Sequence, residues 1–111
     1  MKPILLLLTF VLFGCAVQPT PTTSVNSDWL QFGKEQGERG LLKLSVEKLA
    51  TSDELYLAYS DGYEQGRAMY CQQNAYILGV IGKPYFGVCD KDNVFFQQDY
   101  ISGRQSTAGR F

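Results

Sequence analysis

Carboxylates are the side chains of this protein that could perform acid–base chemistry. Glu35 and Glu64 occupy equivalent positions in two similar segments, and Asp61 lies three residues before Glu64. Two carboxylates that approach each other take different pKa values, which enzymes that cleave glycans require. The alternative is that these acids lie on solvated helix faces, as acids on helices usually do. We expect no catalytic residue, although a cell-wall enzyme or its modulator stays among the hypotheses.

The other charged residues exclude several kinds of site. The chain has no histidine, which excludes zinc sites built on imidazole and catalytic pairs of histidine with serine or cysteine. Asp90, Asp92 and Asp99 lack the Asp-x-Asp-x-Asp-Gly spacing of a calcium loop. A net charge of −1 gives no basic surface for nucleic acid. We therefore expect no metal, no cofactor and no nucleic-acid partner.

Cys15 is the residue whose chemistry would decide where the protein resides. It follows a positively charged start at Lys2 and the apolar run 4–13, which as a helix rises only about 15 Å, half of a hydrocarbon core. Such a run is typical of a signal peptide. Residues 12–15 read Leu-Phe-Gly-Cys and resemble the bacterial lipobox, which implies cleavage before Cys15 and its acylation, for example with palmitate. An uncleaved N-terminal anchor is the alternative.

The lipobox resemblance also implies a location in the cell envelope. Each buried CH₂ of an acyl chain contributes about 0.8 kcal/mol, so several chains anchor Cys15 in membrane lipid. Ala16, where an aspartate would retain a lipoprotein at the inner membrane, favours the periplasmic face of the outer membrane. We divide the chain into a signal peptide (1–14), a lipidated cysteine with a Pro/Thr-rich tether (15–27) and one small globular domain (28–111).

Cys71 and Cys89 are the two cysteines that remain once Cys15 is acylated. The envelope oxidises thiols, so we expect a disulfide that closes the loop between them and contributes about 3 kcal/mol. Two reduced structural thiols or a redox pair are the alternatives, although the spacing is not the CxxC of redox proteins.

The glycines are regularly spaced. Residues 33–37 and 62–66 share four of five residues at an offset of 29, with glycine at both ends of each segment. Residues four apart lie on one helical face, so Gly33/Gly37 and Gly62/Gly66 would form flat strips for close helix packing. The alternative is that these glycines end short helices. A second similarity, between residues 72–77 and 97–101, we interpret in part as chance.

The elements that must position these residues are mainly helical. Ser27 is a cap for a first helix ending by Gly40, and residues 41–50 form a short second helix. A capping pattern at residues 51–54 precedes a third helix, and Phe96 to Gly103 form the last. Between residues 74 and 89 the pattern predicts a short β-hairpin or extended element, clamped by the disulfide. The fold class is therefore mainly α, or α+β.

Aromatic residues give two alternatives. Tyrosine has an apolar ring with a polar tip, which suits either a core beside small glycines or a surface that binds sugar rings or a protein. The candidates for such a binding surface are Trp29, Tyr59, Tyr63, Tyr70, Tyr76 and Tyr85.

Three blocks of glycine, aromatic and cysteine residues follow one another. They are Trp29-x3-Gly33-x3-Gly37-x2-Gly40, Tyr59-x2-Gly62-x3-Gly66-x3-Tyr70-Cys71 and Asn74-x-Tyr76-x2-Gly79-x2-Gly82-x2-Tyr85-x-Gly87-Val88-Cys89. This order resembles the bacterial domain-of-unknown-function family 2799. The resemblance implies a small envelope lipoprotein and no particular reaction.

We expect, from these observations together, a membrane-anchored envelope lipoprotein that is a non-catalytic structural or interaction module. Its partners would be membrane lipid, through Cys15, and an envelope protein or glycan. The alternative is a periplasmic module that binds a glycan or other ligand through its tyrosines.

Overall fold

The computed structural model describes residues 19–106. The predicted signal peptide and Cys15 lie outside the described residues. Within them the chain forms five helices and no β-strand. The helices are α1 (Asn26–Glu38), α2 (Val46–Leu49), α3 (Asp53–Tyr70), α4 (Ala75–Val80) and α5 (Phe96–Gln105). The mainly helical fold class is thereby confirmed.

The start of α1 differs from the prediction, whereas the capping pattern predicted for the third helix is confirmed. Val25, not Ser27, precedes α1, and no side chain caps this helix. Ser52 caps α3 by accepting a hydrogen bond from the backbone N–H of Leu55, which satisfies one free donor of the first turn.

The β-hairpin alternative for residues 74–89 is wrong. Asn74 accepts a hydrogen bond from the backbone N–H of Ile77 at 3.1 Å and so starts helix α4, which contains the apolar run 76–78. The following segment, 83–86, has no regular secondary structure. A six-residue helix looks like a strand in the sequence because its apolar run is too short to show a period.

Helices α1 and α3 pack in parallel along their glycines. Gly33 faces Tyr59 and Tyr63, and Gly37 faces the next turn of α3, so residue numbers rise together along both helices. A Cβ on Gly33 would lie 2.8 Å from the backbone nitrogen of Tyr63 and closer still to the carbonyl oxygen of Tyr59. Backbone atoms therefore occupy the space of the missing side chain.

The contacts of the second helix mirror those of the first. Gly62 faces the backbone of Leu30, and Gly66 faces that of Lys34. Each glycine thus lies against a carbonyl oxygen of the other helix. In every case that oxygen belongs to the residue three positions before a glycine of that other helix. The two similar segments of the sequence thus pack on each other about a local two-fold axis.

Helices α4 and α5 repeat this arrangement. A Cβ on Gly79 would lie 2.8 Å from the nitrogen of Arg104, and one on Gly103 would lie 2.9 Å from the carbonyl carbon of Tyr76. The similarity between residues 72–77 and 97–101, which we had interpreted partly as chance, lies in a second parallel pair packed through glycine. Chance in part does not account for this similarity, because both segments overlap helices that pack on each other.

Two aromatic cores lie beside the glycine contacts. The first contains Trp29, Phe32, Tyr59 and Tyr63. The second contains Tyr70, Ala75, Leu78, Val88, Cys89 and Phe96. Because α1 and α3 are parallel, the chain must return between them, and residues 39–52 with α2 form this crossover.

No helix within residues 19–106 is both long enough and apolar enough to cross a membrane.

Candidate functional site

A cleft lies between α3, the crossover and the segment 87–92. Its volume is about 550 Å³. Its lining combines apolar surface with charges of both signs and consists of Leu42, Lys43, Tyr63, Glu64, Arg67, Gly87, Val88, Asp90 and Lys91.

Arg67 lies at the centre of this cleft, in the last turn of α3, with its side chain only 10% exposed. Its Nε and Nη2 both donate to one oxygen of Glu64, at 3.0 and 2.8 Å. Its Nη1 donates to the Val88 carbonyl oxygen at 2.9 Å and to a carboxylate oxygen of Asp92. The guanidinium therefore ties α3 to the segment 88–92.

The charges of the cleft compensate one another. Desolvation alone would raise the pKa of Glu64, but its hydrogen bond and charge interaction with Arg67, and the nearby Lys91 and Lys43, leave that pKa below its ordinary value. Burial opposes the charge of Arg67, yet hydrogen bonds to Asp92 and Glu64 raise its pKa. Both groups are charged at neutral pH, and each has its counter-charge within the protein.

Lys43 enters the same network from the crossover. Its ammonium donates to the Ser60 hydroxyl at 2.5 Å and lies 3.7 Å from Glu64. It also lies 5.8 Å from the centre of the Tyr63 ring, within reach of a cation–π interaction. The cleft is thus a joint that holds three segments of chain together.

The disulfide lies in the same region and is confirmed. Cys71 and Cys89 are bonded, with an S–S distance of 2.00 Å, and Cys89 is fully buried. Cys71 directly follows α3, and Cys89 lies beside Val88, which accepts from Arg67. A covalent bond and a charged hydrogen-bond network thus make the same connection.

The carboxylates considered for catalysis make separate contacts. Glu35 accepts a hydrogen bond from Gln31, four residues before it on α1, whereas Glu64 belongs to Arg67 and Lys43. Asp61 is exposed and lines a different, shallow depression at the start of α1 and α3. The structure does not bring Glu35 and Glu64 into one network.

The three aspartates near the last helix have different surroundings. Asp90 accepts from the Tyr85 hydroxyl at 2.5 Å, Asp92 accepts from Arg67, and Asp99 is exposed. Within residues 19–106 no three aspartate, glutamate or cysteine side chains lie close enough together to hold a metal ion.

The aromatic residues mostly form core and not a binding surface. Trp29, Tyr59, Tyr63 and Tyr70 are buried, Tyr85 is half-buried, and Tyr76 is 44% exposed. The prediction that these side chains form a binding surface is therefore wrong for the four buried residues. Glycines bring the helices so close that the neighbouring rings are enclosed between the helices and the crossover.

Tyrosine hydroxyls bind the backbone of the connecting segments. The Tyr59 hydroxyl accepts from Leu44 N–H at 2.8 Å, and the Tyr63 hydroxyl donates to the Leu41 carbonyl at 2.6 Å. In the second half, Tyr100 donates to the Lys83 carbonyl at 2.6 Å. The tyrosine hydroxyls thus attach the connecting loops to the helices by hydrogen bonds.

Arg67 is the functional-site residue that the sequence reasoning missed. It lies four residues after Tyr63 and eight after Tyr59, on the face that those aromatic residues define. A single charge in an apolar helical stripe is a signal for a buried ion pair. Its partners Val88 and Asp92 are distant in sequence and carry no such signal.

The glycines predicted to be helix-packing residues lie inside their helices, at the α1–α3 interface.

The model of the family described as "Protein of unknown function (DUF2799)" matches residues 28–105. The chain belongs to this family. The description of this family names no reaction and no ligand. The matched residues 28–105 contain the packing glycines of both helix pairs, the disulfide and Arg67. Comparisons with curated proteins and with solved structures found no match.

Proposed function

We propose that this DUF2799 protein is a membrane-anchored lipoprotein of the cell envelope and acts there as a non-catalytic interaction module. Two observations of different kinds support this. The N-terminal sequence resembles a lipoprotein signal ending at Cys15. In the folded part, Arg67 is paired with Glu64 and Asp92, while several large apolar side chains lie outside.

The distribution of exposed apolar side chains carries the interaction part of the proposal. After the end of α3 they are Tyr76, Ile77, Ile81, Phe86, Val94, Phe95 and Ile101, and all are at least 43% exposed. Val94 and Phe95 are adjacent and are 74% and 64% exposed, immediately before α5. Concentrated exposed apolar side chains are typical of protein interaction surfaces. These exposed side chains favour contact with another protein of the envelope as the partner in this proposal.

Fatty-acid labelling tests the anchor. Cells that make the full chain are grown with an alkyne-tagged fatty acid, and the protein is examined for the tag and for its position in a gradient of inner and outer membranes. We expect labelling and an outer-membrane position for the wild type, and loss of both in Cys15→Ala. Label that persists in Cys15→Ala would contradict the anchor.

Site-specific photo-crosslinking in the same cells tests the partner. A photoreactive residue at Val94 is expected to give one defined adduct, whereas the same residue at Gln31, exposed on α1, gives none. Phe95→Asp should remove the adduct. Gln98→Asp makes an equal change of charge at an exposed position of α5 and should leave the adduct unchanged. The interaction proposal fails if Val94 and Gln31 crosslink alike, or if Val94 gives no adduct.

A further inference from the structure

A second cleft, of about 310 Å³, lies at the C-terminal ends of α1 and α3 and is distinct from the Arg67 cleft. A volume of this size suits a small ligand or one group of a larger one. Its lining is mostly polar and consists of Glu38, Arg39, Tyr70, Gln73, Lys83 and Pro84.

Tyr70 has a hydroxyl with no hydrogen bond to any described residue, although the residue is only 7% exposed. The other tyrosines packed into the two cores all have bonded hydroxyls; they are Tyr56, Tyr59, Tyr63, Tyr85 and Tyr100. Tyr70 is therefore an exception to a pattern that the rest of the core follows. No buried side-chain oxygen or nitrogen of the described residues lacks a partner, so this hydroxyl keeps contact with the cleft.

The orientation of the Tyr70 ring follows from Gly40. A Cβ on Gly40 would lie 2.5 Å from Cζ of Tyr70, the ring carbon that bears the hydroxyl. The hydroxyl end of the ring thus lies against the chain directly after Arg39. Burial, and then the nearby Tyr100, raise the pKa of Tyr70, so the hydroxyl is a neutral donor at neutral pH.

The cations of this cleft have no carboxylate partner. Arg39 and Lys83 form no ion pair within residues 19–106, in contrast to Arg67, whose charge Glu64 and Asp92 compensate. Arg104 adds positive charge nearby, since its Nη1 would lie 2.9 Å from a Cβ on Gly82, the residue before Lys83. Glu38 is the acid in the lining, and it is exposed.

We propose that this second cleft binds the oxyanion of a small ligand, a phosphate or a carboxylate group. Arg39 and Lys83 supply the positive charge, and the Tyr70 hydroxyl donates a hydrogen bond from the wall of the cleft. Charge-assisted hydrogen bonds from arginine to carboxylate and phosphate are among the strongest that proteins form. The site lies in the folded domain and needs neither acylation of Cys15 nor a partner at Val94.

NMR titration of the ¹⁵N-labelled full chain in detergent tests the site. Sodium phosphate and sodium acetate are added in separate series, each against sodium chloride at equal ionic strength. We expect saturable shifts of the Arg39, Gly40, Gln73 and Lys83 amides with at least one of the two anions. The stronger of the two series identifies the preferred oxyanion.

Three variants and one control assign the effect to the cleft. Tyr70→Phe should weaken binding at least threefold, and Arg39→Gln or Lys83→Gln at least tenfold. Lys91→Gln removes an equal charge from the Arg67 cleft and should leave the affinity unchanged. Because the Tyr70 hydroxyl has no hydrogen-bond partner within residues 19–106, Tyr70→Phe should melt like the wild type without anion.

Three results would overturn the proposal. The first is that chloride shifts the same amides to the same extent, which would be charge screening. The second is that neither anion gives saturable shifts. The third is an affinity that Arg39→Gln and Lys83→Gln do not change; both residues are exposed, so these variants will fold. None of these results bears on the anchor or on crosslinking at Val94.

Discussion

Arg67 joins the two halves of the described chain, because it is the group of α3 that bonds both Val88 and Asp92. Glu64, one turn earlier on α3, is the second carboxylate that compensates the positive charge of Arg67. A guanidinium is suited to this position, since its five donors form a planar fork that can serve several acceptors at once. A lysine there would reach fewer of them.

Arg67→Met should lower the free energy of unfolding by about 2 kcal/mol, measured by urea denaturation at pH 7. The loss comes from acceptors left without a donor, and it is less than for a fully buried pair because Glu64 and Asp92 are 41% and 49% exposed. Lys48→Met, which removes an equal charge from exposed α2, should change little. Equal effects of the two variants would contradict the role of Arg67.

The same variant predicts a change in acid stability. Because the pKa of Glu64 is lowered in the folded protein, its contribution is full above the ordinary glutamate value of 4.5 and is lost as the pH falls through the folded value. We therefore expect a smaller decrease of stability below pH 4.5 in Arg67→Met than in the wild type.

At the scale of elements, the parallel helix pairs depend on glycine. In α1–α3 each helix places backbone where a side chain of the other would lie, and α4–α5 repeats this around Gly79 and Gly103. Interior glycine costs up to about 1 kcal/mol of helix propensity relative to alanine. The close approach offsets that cost by enclosing the aromatic rings on either side of the contact.

Gly33→Ala tests this packing. A Cβ at this position meets backbone atoms of Tyr59 and Tyr63, which cannot move without shifting α3. We expect the free energy of unfolding to fall by about 3 kcal/mol, despite the better helix propensity of alanine. The matched control is Gln65→Ala, an exposed position of α3, which should be neutral or slightly stabilising. Stabilisation by Gly33→Ala in thermal melts would show that the helices are not in contact there.

At the scale of the whole molecule, the two helix pairs are separate units joined at one place. Among the described helices, the backbones of α1 and α3 and those of α4 and α5 approach each other closely, whereas no such backbone approach joins one pair to the other. The joint consists of the Arg67 network, the Cys71–Cys89 bond and the contact between the Tyr70 and Phe96 rings. The second pair is short, and its core includes Tyr70 from the end of α3.

Reduction of the disulfide should therefore loosen the two pairs unequally. Without the bond the chain between residues 71 and 89 gains entropy when it unfolds, which costs about 3 kcal/mol of stability. Hydrogen exchange with and without reductant should show faster exchange of amides in α4 and α5, while α1 and α3 keep their protection. A Cys71→Ala/Cys89→Ala variant should resemble the reduced protein and not respond to reductant. Uniform acceleration across all helices would contradict the separation.

The helical class, the third and last helices and the disulfide followed from the sequence alone. Each depends on local periodicity or on the number of cysteines, and these signals need no knowledge of distant residues. The glycine segments at 33–37 and 62–66 could also be recognised, because residues four apart share one face of any helix. Residues 76–78 were assigned partly to a strand because α4 is too short to show a period.

Only the tertiary structure decided which groups meet. It placed four of the six aromatic candidates inside, separated Glu35 from Glu64, and gave Arg67 partners more than twenty residues away. It also placed the Tyr70 hydroxyl beside Arg39 and Lys83, and none of these three groups has a side-chain partner in the described part of the chain. The physical reason is that burial and pairing depend on how parallel helices and their crossover enclose a space, whereas spacing in the chain fixes only the face on which each residue lies.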